Sequence, residues 1–367
     1  MPPIPNPPPE EASLTRIDRL EALGWNPQFD EHFAPYAAQG MLPARVALEY
    51  NRFFRLYGLD GELTAELAGR VKHQATSRAE LPSVGDWVAV RPRPGDREAQ
   101  IHAVLPRKSA FSRKVAGKVT DEQVVAANVD TVFLVSALDH ELNARRVERY
   151  VAVAWESGAQ PVVLLNKADL CATVDDFVHT IEASAPGVPV LAISSRNGDG
   201  VAALEEYIRP GSTVALMGSS GVGKSTLINR LVGNEALKTA EVRPGDKKGR
   251  HTTTHRELVL LPSGGLLIDT PGMRELQIWD VSDGISAGFA DLEEIATTCF
   301  FSDCQHRNEP GCAIHDAVGD GRLTQNRVDS YLKLLEELAH LTLRQERRVQ
   351  HTDKIRIKAV TRQSNRR

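Results

Sequence analysis

The stretch GSSGVGKS, residues Gly218 to Ser225, decides the fold of this chain, because it fits the pattern G-x-x-x-x-G-K-[ST] at every fixed position. The apolar segment Val214–Met217 precedes it, and the segment Thr226–Val232, which has helical character, follows it. A phosphate-binding loop requires this strand–loop–helix context, because successive backbone N–H groups then point inward at the start of a helix. The stretch therefore predicts a nucleotide site in an α/β domain.

The side chains of this loop predict a bound triphosphate with a divalent cation. Lys224 is expected to neutralise the β- and γ-phosphates, and Ser225 is expected to ligate Mg²⁺. The other residues predicted to bind the nucleotide here are Gly218, Ser219, Ser220, Gly221, Val222, Gly223 and Thr226.

A second motif, NKAD, ends an apolar segment and predicts which base the site selects. A carboxylate at Asp169 accepts hydrogen bonds from guanine N1–H and the 2-amino group, whereas adenine would leave it buried and unpaired, which is costly. Asn166, Lys167 and Asp169 are therefore predicted to bind GTP. Ser194 and Ser195 end the next apolar segment, and they either complete the base pocket through a backbone contact to the guanine oxygen or cap a helix.

Two further segments predict the groups around the γ-phosphate. DTPG begins at Asp269, whose carboxylate would hold Mg²⁺ through water, and the N–H of Gly272 would sense the γ-phosphate. GRHTTTH, residues 249–255, lies between the phosphate loop and DTPG. A threonine here closes over Mg²⁺ in the triphosphate state, and we assign Thr253 to this role, with either neighbouring threonine as the alternative.

The order of these motifs along the chain is permuted. NKAD and the serine pair come first, and the phosphate loop, the threonine loop and DTPG follow, whereas an ordinary GTPase begins with the phosphate loop. The sheet can stay the same, because a permutation keeps the contacts and moves only the chain ends. DTPG then leads directly into the C-terminal region, which gives a γ-phosphate-dependent movement a short covalent route to that region.

The pattern C-x4-C-x-H-x5-C predicts a metal site in the C-terminal region. The thiolates of Cys299, Cys304 and Cys312 and the imidazole of His306 suit one tetrahedral, structural Zn²⁺ with no open position for a catalytic water. His315 is a competing fourth ligand, and three buried cysteines without a metal are the alternative interpretation.

Hydrophobic patterning divides the 367 residues into several domains. Short antiparallel strands over about Arg45–Leu105, in which residues 45–59 form one arm of a hairpin, favour a small barrel of the oligonucleotide-binding (OB) type. Val/Leu-rich strands that alternate with helices after Asp130 predict a parallel sheet covered on both faces. The predicted divisions are a proline-rich tail with a short helix (1–40), an OB barrel (41–110), a circularly permuted GTPase domain (111–290), a small zinc-binding helical module (291–343) and a basic tail (344–367). The short helix is predicted near Leu14–Trp25. A basic connector, Pro106–Lys118, spans the boundary between the barrel and the GTPase domain.

Composition excludes several classes of protein. With 41% hydrophobic and 25% charged residues, the chain is neither disordered throughout nor collagen-like. The opening residues 1–16 lack the basic and apolar regions of a secretory signal, so we expect none, and we find no apolar run long enough to span a membrane. Clustered cysteines indicate a reducing compartment, so we expect a cytoplasmic protein. We also expect a monomer. The net charge of −4 does not indicate a nucleic-acid binder, but residues 344–367 carry nine Lys or Arg and two acids, which suits either a solvated tail or a phosphate-contacting arm.

Taken together, these features resemble the bacterial ribosome-small-subunit-dependent GTPases, the RsgA or YjeQ family. The resemblance rests on the permuted motif order, the zinc spacing, the barrel stretch PSVGDWVAV and the connector ending EQVVAANVD, and it covers about Arg45 to Leu341. It implies that the three domains clamp the small (30S) ribosomal subunit and its 16S rRNA during late maturation. It also implies GTP hydrolysis stimulated by the subunit, with GTP-dependent binding and release.

Two other classes fit the sequence less well, and one remains open. NKAD argues against an ATP-driven enzyme, and the closed zinc ligand set argues against a metal chaperone. A translation-cycle GTPase that acts on mature ribosomes is the alternative function.

The residue after DTPG predicts slow unassisted hydrolysis. Met273 stands where many GTPases carry a water-positioning glutamine, and a thioether cannot orient water. Uncomplemented GTPases turn over near ~10⁻⁴ s⁻¹, and a supplied group adds about 10³–10⁵-fold. We expect the ribosomal particle to order the threonine loop and bring His251 to the water. His255 is the second choice, and the alternative is that these histidines are only solvated.

Overall fold

The protein is described here from a computed structural model, and its contacts divide the chain into two compact units. The described residues are 16–50, 53–93, 97–115, 121–138, 142–233, 256–269, 289–307 and 309–336. The first unit comprises residues 1–142, 157–179 and 188–276, and the second comprises residues 143–156, 180–187 and 277–367. Within the described ranges, no helix has both the length and the apolar character needed to cross a membrane.

Two short helices open the described part of the first unit, α1 (Arg16–Ala22) and α2 (Pro27–Ala37). The sequence predicts only the first of them. Helix α2 begins at a regular N-terminal cap, because the side chain of Asn26 accepts the N–H of Phe29 at 3.2 Å and a proline occupies the first helical position. Between the helices, Trp25 packs edge-on against Trp87 of the barrel, with ring centroids 4.7 Å apart.

The predicted small barrel is confirmed as a closed barrel of five strands. Its strands are β1 (Leu42–Tyr50), β2 (Phe53–Gly58), β3 (Gly61–Leu67), β4 (Trp87–Pro92) and β5 (Glu98–Val104). They pair in the order β1-β2-β3-β5-β4 and close through β1–β4; only β3–β5 is parallel. Helix α3 (Gly69–Gln74) and a 3₁₀ turn (Arg78–Glu80) connect β3 to β4. Residues 45–59 thus hold parts of two strands rather than one hairpin arm.

The connector to the nucleotide-binding part is also built differently from the prediction. Residues that the sequence assigns to a basic connector form strand β6 (Ala110–Val115), which pairs antiparallel with β7 (Asp121–Ala127). The base of this hairpin is fixed to the barrel, because Arg107 donates to both carboxylate oxygens of the buried Asp86 at 2.7 Å. The barrel and the hairpin therefore meet at a buried ion pair.

A second buried cation holds the same junction. Arg45 of β1 is 1% exposed, and it donates to the carbonyls of Gly85 and Asn128 at 3.2 Å. Its guanidinium lies 5.7 Å from the ring centroid of Trp87. Burial lowers the pKa of Arg45 to about 10, so the group stays charged at neutral pH. Gly85 has φ +92°, and a Cβ there would lie 2.1 Å from the carbonyl oxygen of Ala127, so the backbones touch at this point.

A six-stranded sheet follows the junction in the first unit. Its strands, in spatial order, are β10 (Val190–Ala192), β9 (Gln160–Asn166), β8 (Thr131–Ala137), β11 (Thr213–Met217), β13 (Leu266–Asp269) and β12 (Glu257–Leu260). All neighbours are parallel except β12–β13. Helices α5 (Val174–Ser184) and α6 (Lys224–Val232) and 3₁₀ turns at Ala168–Leu170 and Val201–Glu206 connect the strands. This is the predicted P-loop sheet, and β12 joins it to the barrel by pairing with β1.

The second unit is helical in its described parts. It contains α4 (Ala144–Glu156), α7 (Ala290–Ala296), α8 (Ala313–Gly319) and a helix over residues 325–336. Its core includes Phe289, Leu292, Ile314 and Tyr331. The buried Arg327 donates to both carboxylate oxygens of Asp291, at 2.8 and 2.6 Å, and lies over the ring of Phe289.

Candidate functional site

The phosphate loop connects the end of β11 to the start of α6, as the sequence predicts. Three of its glycines have positive φ: Gly218 (+152°), Gly221 (+83°) and Gly223 (+99°). These values explain the glycine spacing, because L side chains rarely adopt this backbone conformation. The amine of Lys224 donates to the carbonyls of Gly218 and Ser219, at 2.8 and 2.5 Å, and so lies against the loop whose phosphates it is predicted to bind.

Asn166 links the base-binding motif to the phosphate loop. Its side-chain amide donates to the carbonyl of Val222 at 2.7 Å, and its side-chain oxygen accepts the N–H of Ser195 at 2.9 Å. Asn166 is 2% exposed, and Gly223 passes so close that a Cβ there would lie 2.2 Å from the Asn166 amide nitrogen. The first residue of NKAD therefore holds three segments together, a role that the sequence does not reveal.

The carboxylate of Asp169, which is predicted to select guanine, is exposed to solvent and is held by a hydrogen bond. Asp169 is exposed, and the hydroxyl of Ser194 donates to its Oδ1 at 2.7 Å. The same hydroxyl accepts the N–H of Asn197 at 3.1 Å, which fixes the rotamer of Ser194. Lys167, between Asn166 and the 3₁₀ turn, has φ +67°. The Ser194 hydroxyl uses one lone pair of Oδ1, so both oxygens of the carboxylate can still accept hydrogen bonds from a base.

The turn after β10 holds the predicted serine pair and one further backbone donor. The N–H of Ser195 is taken by Asn166. Among the residues that the structure describes, the N–H of Arg196 has no hydrogen-bond partner, so it can donate to a base oxygen. Arg230 of α6 braces this turn by donating to the carbonyls of Ser195 and Arg196, at 2.8 and 2.6 Å. No motif marks Arg196 or Arg230.

The predicted magnesium ligands lie only partly within the described residues. Ser225 lies in the first turn of α6, and Asp269 ends β13. Because β11 and β13 are parallel neighbours, with Ala215 opposite Ile268, Asp269 lies at the sheet edge from which the phosphate loop leaves. Carboxylate and hydroxyl oxygens suit Mg²⁺, which retains several waters. Thr253, Gly272, His251, His255 and Met273 lie outside the described residues, so their roles stay predictions.

The four predicted zinc ligands come together in the second unit. One ligand atom from each of Cys299, Cys304, His306 and Cys312 lies within 4.8 Å of the others. Nδ1 of His306 is 3.6 Å from the sulfurs of Cys299 and Cys312, close to the edge of about 3.5–3.8 Å in a tetrahedron with ordinary zinc bond lengths. Burial lowers the pKa of His306, which favours the neutral imidazole that a metal needs. The donor set and its spacing fit one Zn²⁺.

His315, the alternative fourth zinc ligand, makes a contact outside the cluster. Nε2 of His315 lies 2.7 Å from the carbonyl oxygen of Arg307, to which its N–H donates. His306 has φ +58°, a left-handed conformation that turns the chain between Cys304 and Cys312. The backbone at His306 therefore brings its imidazole to the three sulfurs, whereas His315 binds the backbone.

Comparison with known proteins identifies the family. A family model described as RsgA GTPase matches residues 104–279, and another described as 50S ribosome-binding GTPase matches residues 213–348. The small ribosomal subunit biogenesis GTPase RsgA of Opitutus terrae is 49% identical over 334 residues, which are 89% of this chain and 91% of that protein. The chain belongs to the RsgA GTPase family. It is therefore a GTPase, as the sequence predicts.

Other members of the RsgA family agree with this assignment. The protein of the same name from Syntrophotalea carbinolica is 44% identical and covers 95% of this chain and 97% of its own length. YjeQ from Thermotoga maritima has a TM-score of 0.61 and 28% identity, and covers 82% of this chain and 99% of its own. YloQ, described as a circularly permuted GTPase, has a TM-score of 0.60 over 82% of this chain and 96% of its own; at 23% identity it supports the fold alone. The permuted fold is confirmed.

The close approach of Gly223 to Asn166 gives a first testable prediction for the RsgA-family site. Gly223→Ala should weaken GTP binding at least about tenfold, or 1.4 kcal/mol, because its Cβ would displace the Asn166 amide and disconnect NKAD from the phosphate loop. Titration calorimetry measures the affinity.

The matched control is Gly221→Ala. It also places alanine at positive φ in the same loop, but its Cβ would meet nothing within 4 Å. We expect a smaller loss from it, since it has only the backbone strain. Equal losses in both variants would show that the contact with Asn166 is unimportant.

Proposed function

We propose that this chain is an assembly factor of the small ribosomal subunit that binds the subunit in its GTP form and leaves after hydrolysis. The proposal is carried by the link at Asn166, which joins the NKAD motif and the turn after β10 to the phosphate loop. It is supported by the 49% identity of this chain to a protein named small ribosomal subunit biogenesis GTPase. In this proposal, GTP hydrolysis determines when the protein leaves the small subunit.

Each described part of the site has a role in this cycle. Asp169, held by Ser194, accepts the N1–H and 2-amino donors of guanine, and the N–H of Arg196 binds the base oxygen. The phosphate loop surrounds the phosphates with its N–H groups, and Lys224 neutralises their charge. Ser225 and Asp269 would hold Mg²⁺, which when bound neutralises charge on the β- and γ-oxygens.

Three residues outside the described part of the chain complete the proposed cycle. Thr253 and Gly272 are proposed to sense the γ-phosphate, and His251 to orient the attacking water.

The remaining domains are proposed to contact the ribosome. The closed barrel has the architecture of oligonucleotide-binding folds, which supports a contact with 16S rRNA. The four ligands of the second unit would hold one structural Zn²⁺ and keep that unit folded. A monomer in the cytoplasm, where ribosomal subunits are assembled, fits this role.

The proposal predicts that purified small subunits stimulate GTP hydrolysis. Turnover of the chain alone should be slow, and the subunit should raise it toward the 10³–10⁵-fold that a supplied catalytic group contributes, about 4–7 kcal/mol. Phosphate release under single-turnover conditions measures both rates. The same rate with and without subunits would contradict the proposal.

A translation-cycle GTPase acting on mature ribosomes is the second candidate. The match to a family model described as 50S ribosome-binding GTPase favours it. Purified large subunits and complete ribosomes, added separately to the same assay, distinguish the two functions. Accumulation of immature small subunits on depletion would support the assembly role, and stalled elongation would support the alternative.

A further inference from the structure

Strand β12 pairs with a barrel strand on one side and with a strand of the nucleotide-binding sheet on the other. On one side Glu257 is in register with Asp269 of β13. On its other side Glu257 pairs with Leu48 of barrel strand β1. A single residue therefore lies between the barrel and the aspartate that would hold Mg²⁺.

Two side chains of barrel strand β2 reinforce this junction. Arg55 forms an ion pair with the carboxylate of Glu257, and the hydroxyl of Tyr57 donates to the carbonyl of Leu258 at 3.4 Å. Residues two apart on a strand point to the same face, so Arg55 and Tyr57 reach β12 together. Burial raises the pKa of Tyr57 to about 12, so its hydroxyl remains a donor at neutral pH. We call Arg55, Tyr57, Glu257 and Leu258 the β12 latch.

The position of β12 along the chain makes this contact relevant to hydrolysis. Glu257 is the fourth residue after Thr253 in the sequence, and β13 ends at Asp269, the first residue of DTPG. The hairpin formed by β12 and β13 therefore connects the two segments that are predicted to respond to the γ-phosphate. If β12 moved along β13, Asp269 would no longer be opposite Glu257, and its position relative to the barrel strand β1 would change.

The ion pair is suited to regulation rather than to stability. The side chains of Arg55 and Glu257 are 34% and 38% exposed. Partly exposed ion pairs contribute little to folding, so the pair can be broken without unfolding the barrel. Its geometric effect is larger, because it fixes one end of a strand that is only four residues long.

We propose that Arg55 and Glu257 are positioning residues, which hold Asp269 in register for Mg²⁺. Through them, GTP hydrolysis would also depend on whether RNA is bound to the barrel. The second part rests on the proposed function, in which the barrel binds rRNA. Neither residue touches the nucleotide in this account; both act through strand β12. Binding of RNA on the barrel would then favour one register of β12 and so alter hydrolysis.

The test compares Arg55→Glu, Arg93→Glu and the double variant Arg55→Glu/Glu257→Arg. Arg55→Glu places two carboxylates together, and the double variant restores an opposite-charge pair. Arg93→Glu is the matched control, because Arg93 pairs with Glu98 at 2.7 Å in the same barrel, with side chains 46% and 52% exposed. Each variant is assayed as the full chain for GTP turnover, with and without small subunits and over a range of Mg²⁺ concentrations. Titration calorimetry of the same variants measures how GTP affinity depends on Mg²⁺, and this dependence should shift in the same direction as that of turnover.

We expect two effects from Arg55→Glu. The Mg²⁺ concentration for half-maximal turnover of the chain alone should rise about threefold, the scale of one exposed ion pair. Turnover with small subunits should fall at least about fivefold, the lower end of typical coupling between sites. Unstimulated turnover at saturating Mg²⁺ should stay within about twofold of the original. The double variant should recover both effects, and Arg93→Glu should show neither.

The outcomes separate this proposal from the proposed function. If the original chain is not stimulated by subunits, the proposed function fails, and the Mg²⁺ dependence still tests the latch. A changed Mg²⁺ dependence that the double variant restores supports positioning by the latch. An unchanged Mg²⁺ dependence in Arg55→Glu, or an equal change in Arg93→Glu, overturns it. Normal stimulation of Arg55→Glu by subunits overturns the transmission from the barrel.

Discussion

Cys304→Ser is expected to lose zinc and to unfold the region around residues 289–336, while GTP binding by the first unit is preserved. Structural zinc contributes roughly 10–16 kcal/mol of apparent binding free energy in small modules. Helices α7 and α8 have seven residues each, and isolated helices of that length are marginal in water. Cys312 itself is part of the local hydrophobic core, so the metal ligands and the core form one structure.

Metal analysis, hydrogen exchange and titration calorimetry together measure this result. Zinc should be reduced, exchange over residues 289–336 should be fast, and GTP affinity should change by less than about threefold, or 0.7 kcal/mol. Cys171→Ser is the control, since Cys171 lies outside the ligand cluster. His315→Ala should keep its zinc, because His315 binds a backbone carbonyl. Full zinc occupancy in Cys304→Ser would refute this ligand set.

Asp169→Asn is expected to weaken GTP binding at least about tenfold, or 1.4 kcal/mol, and to improve binding of xanthosine triphosphate. An asparagine oxygen can still accept the Ser194 hydroxyl, so the new amide would face the base. Its N–H groups would then oppose guanine N1–H, and a donor without an acceptor is costly once buried. Xanthine carries an oxygen at position 2 and accepts from that amide.

Calorimetric titration with both nucleotides checks this exchange of specificity. Asp199→Asn is a matched control in the neighbouring turn, where the backbone carbonyl of Asp199 accepts the N–H of Ser194. That variant should keep its preference for GTP. Unchanged GTP affinity in Asp169→Asn would remove NKAD from the base site.

The parts of the site that are local in sequence were the ones that could be predicted. The phosphate loop needs glycines at fixed spacing because its backbone has positive φ, and the zinc ligands need a short loop that returns to one ion. The roles of Asn166 and Arg230 depend on how three segments approach one another. No spacing within a single segment encodes such an approach, so the sequence did not reveal them.

The fold was predictable to a similar degree. Hydrophobic patterning predicts the barrel and the parallel sheet, but it does not predict β6, because the Arg and Lys residues of this stretch indicate a basic connector. The break between β1 and β2 is not predicted, because the sequence has no glycine or proline between Tyr50 and Phe53. Helix α2 was missed although Asn26 and Pro27 form a recognisable start.

The barrel and the nucleotide-binding strands form one sheet of eleven strands in the described residues, and this sheet bears on how the chain avoids self-association during synthesis. An unpaired strand edge can recruit another chain, and short or closed edges reduce that hazard. The barrel lies early in the chain and closes on itself through β1 and β4, so it needs no later segment to cover its edges. At the far end, β10 has only three residues. A nascent chain on the ribosome would thus present a closed barrel first and would add the remaining strands to it through one register pair, Leu48 with Glu257.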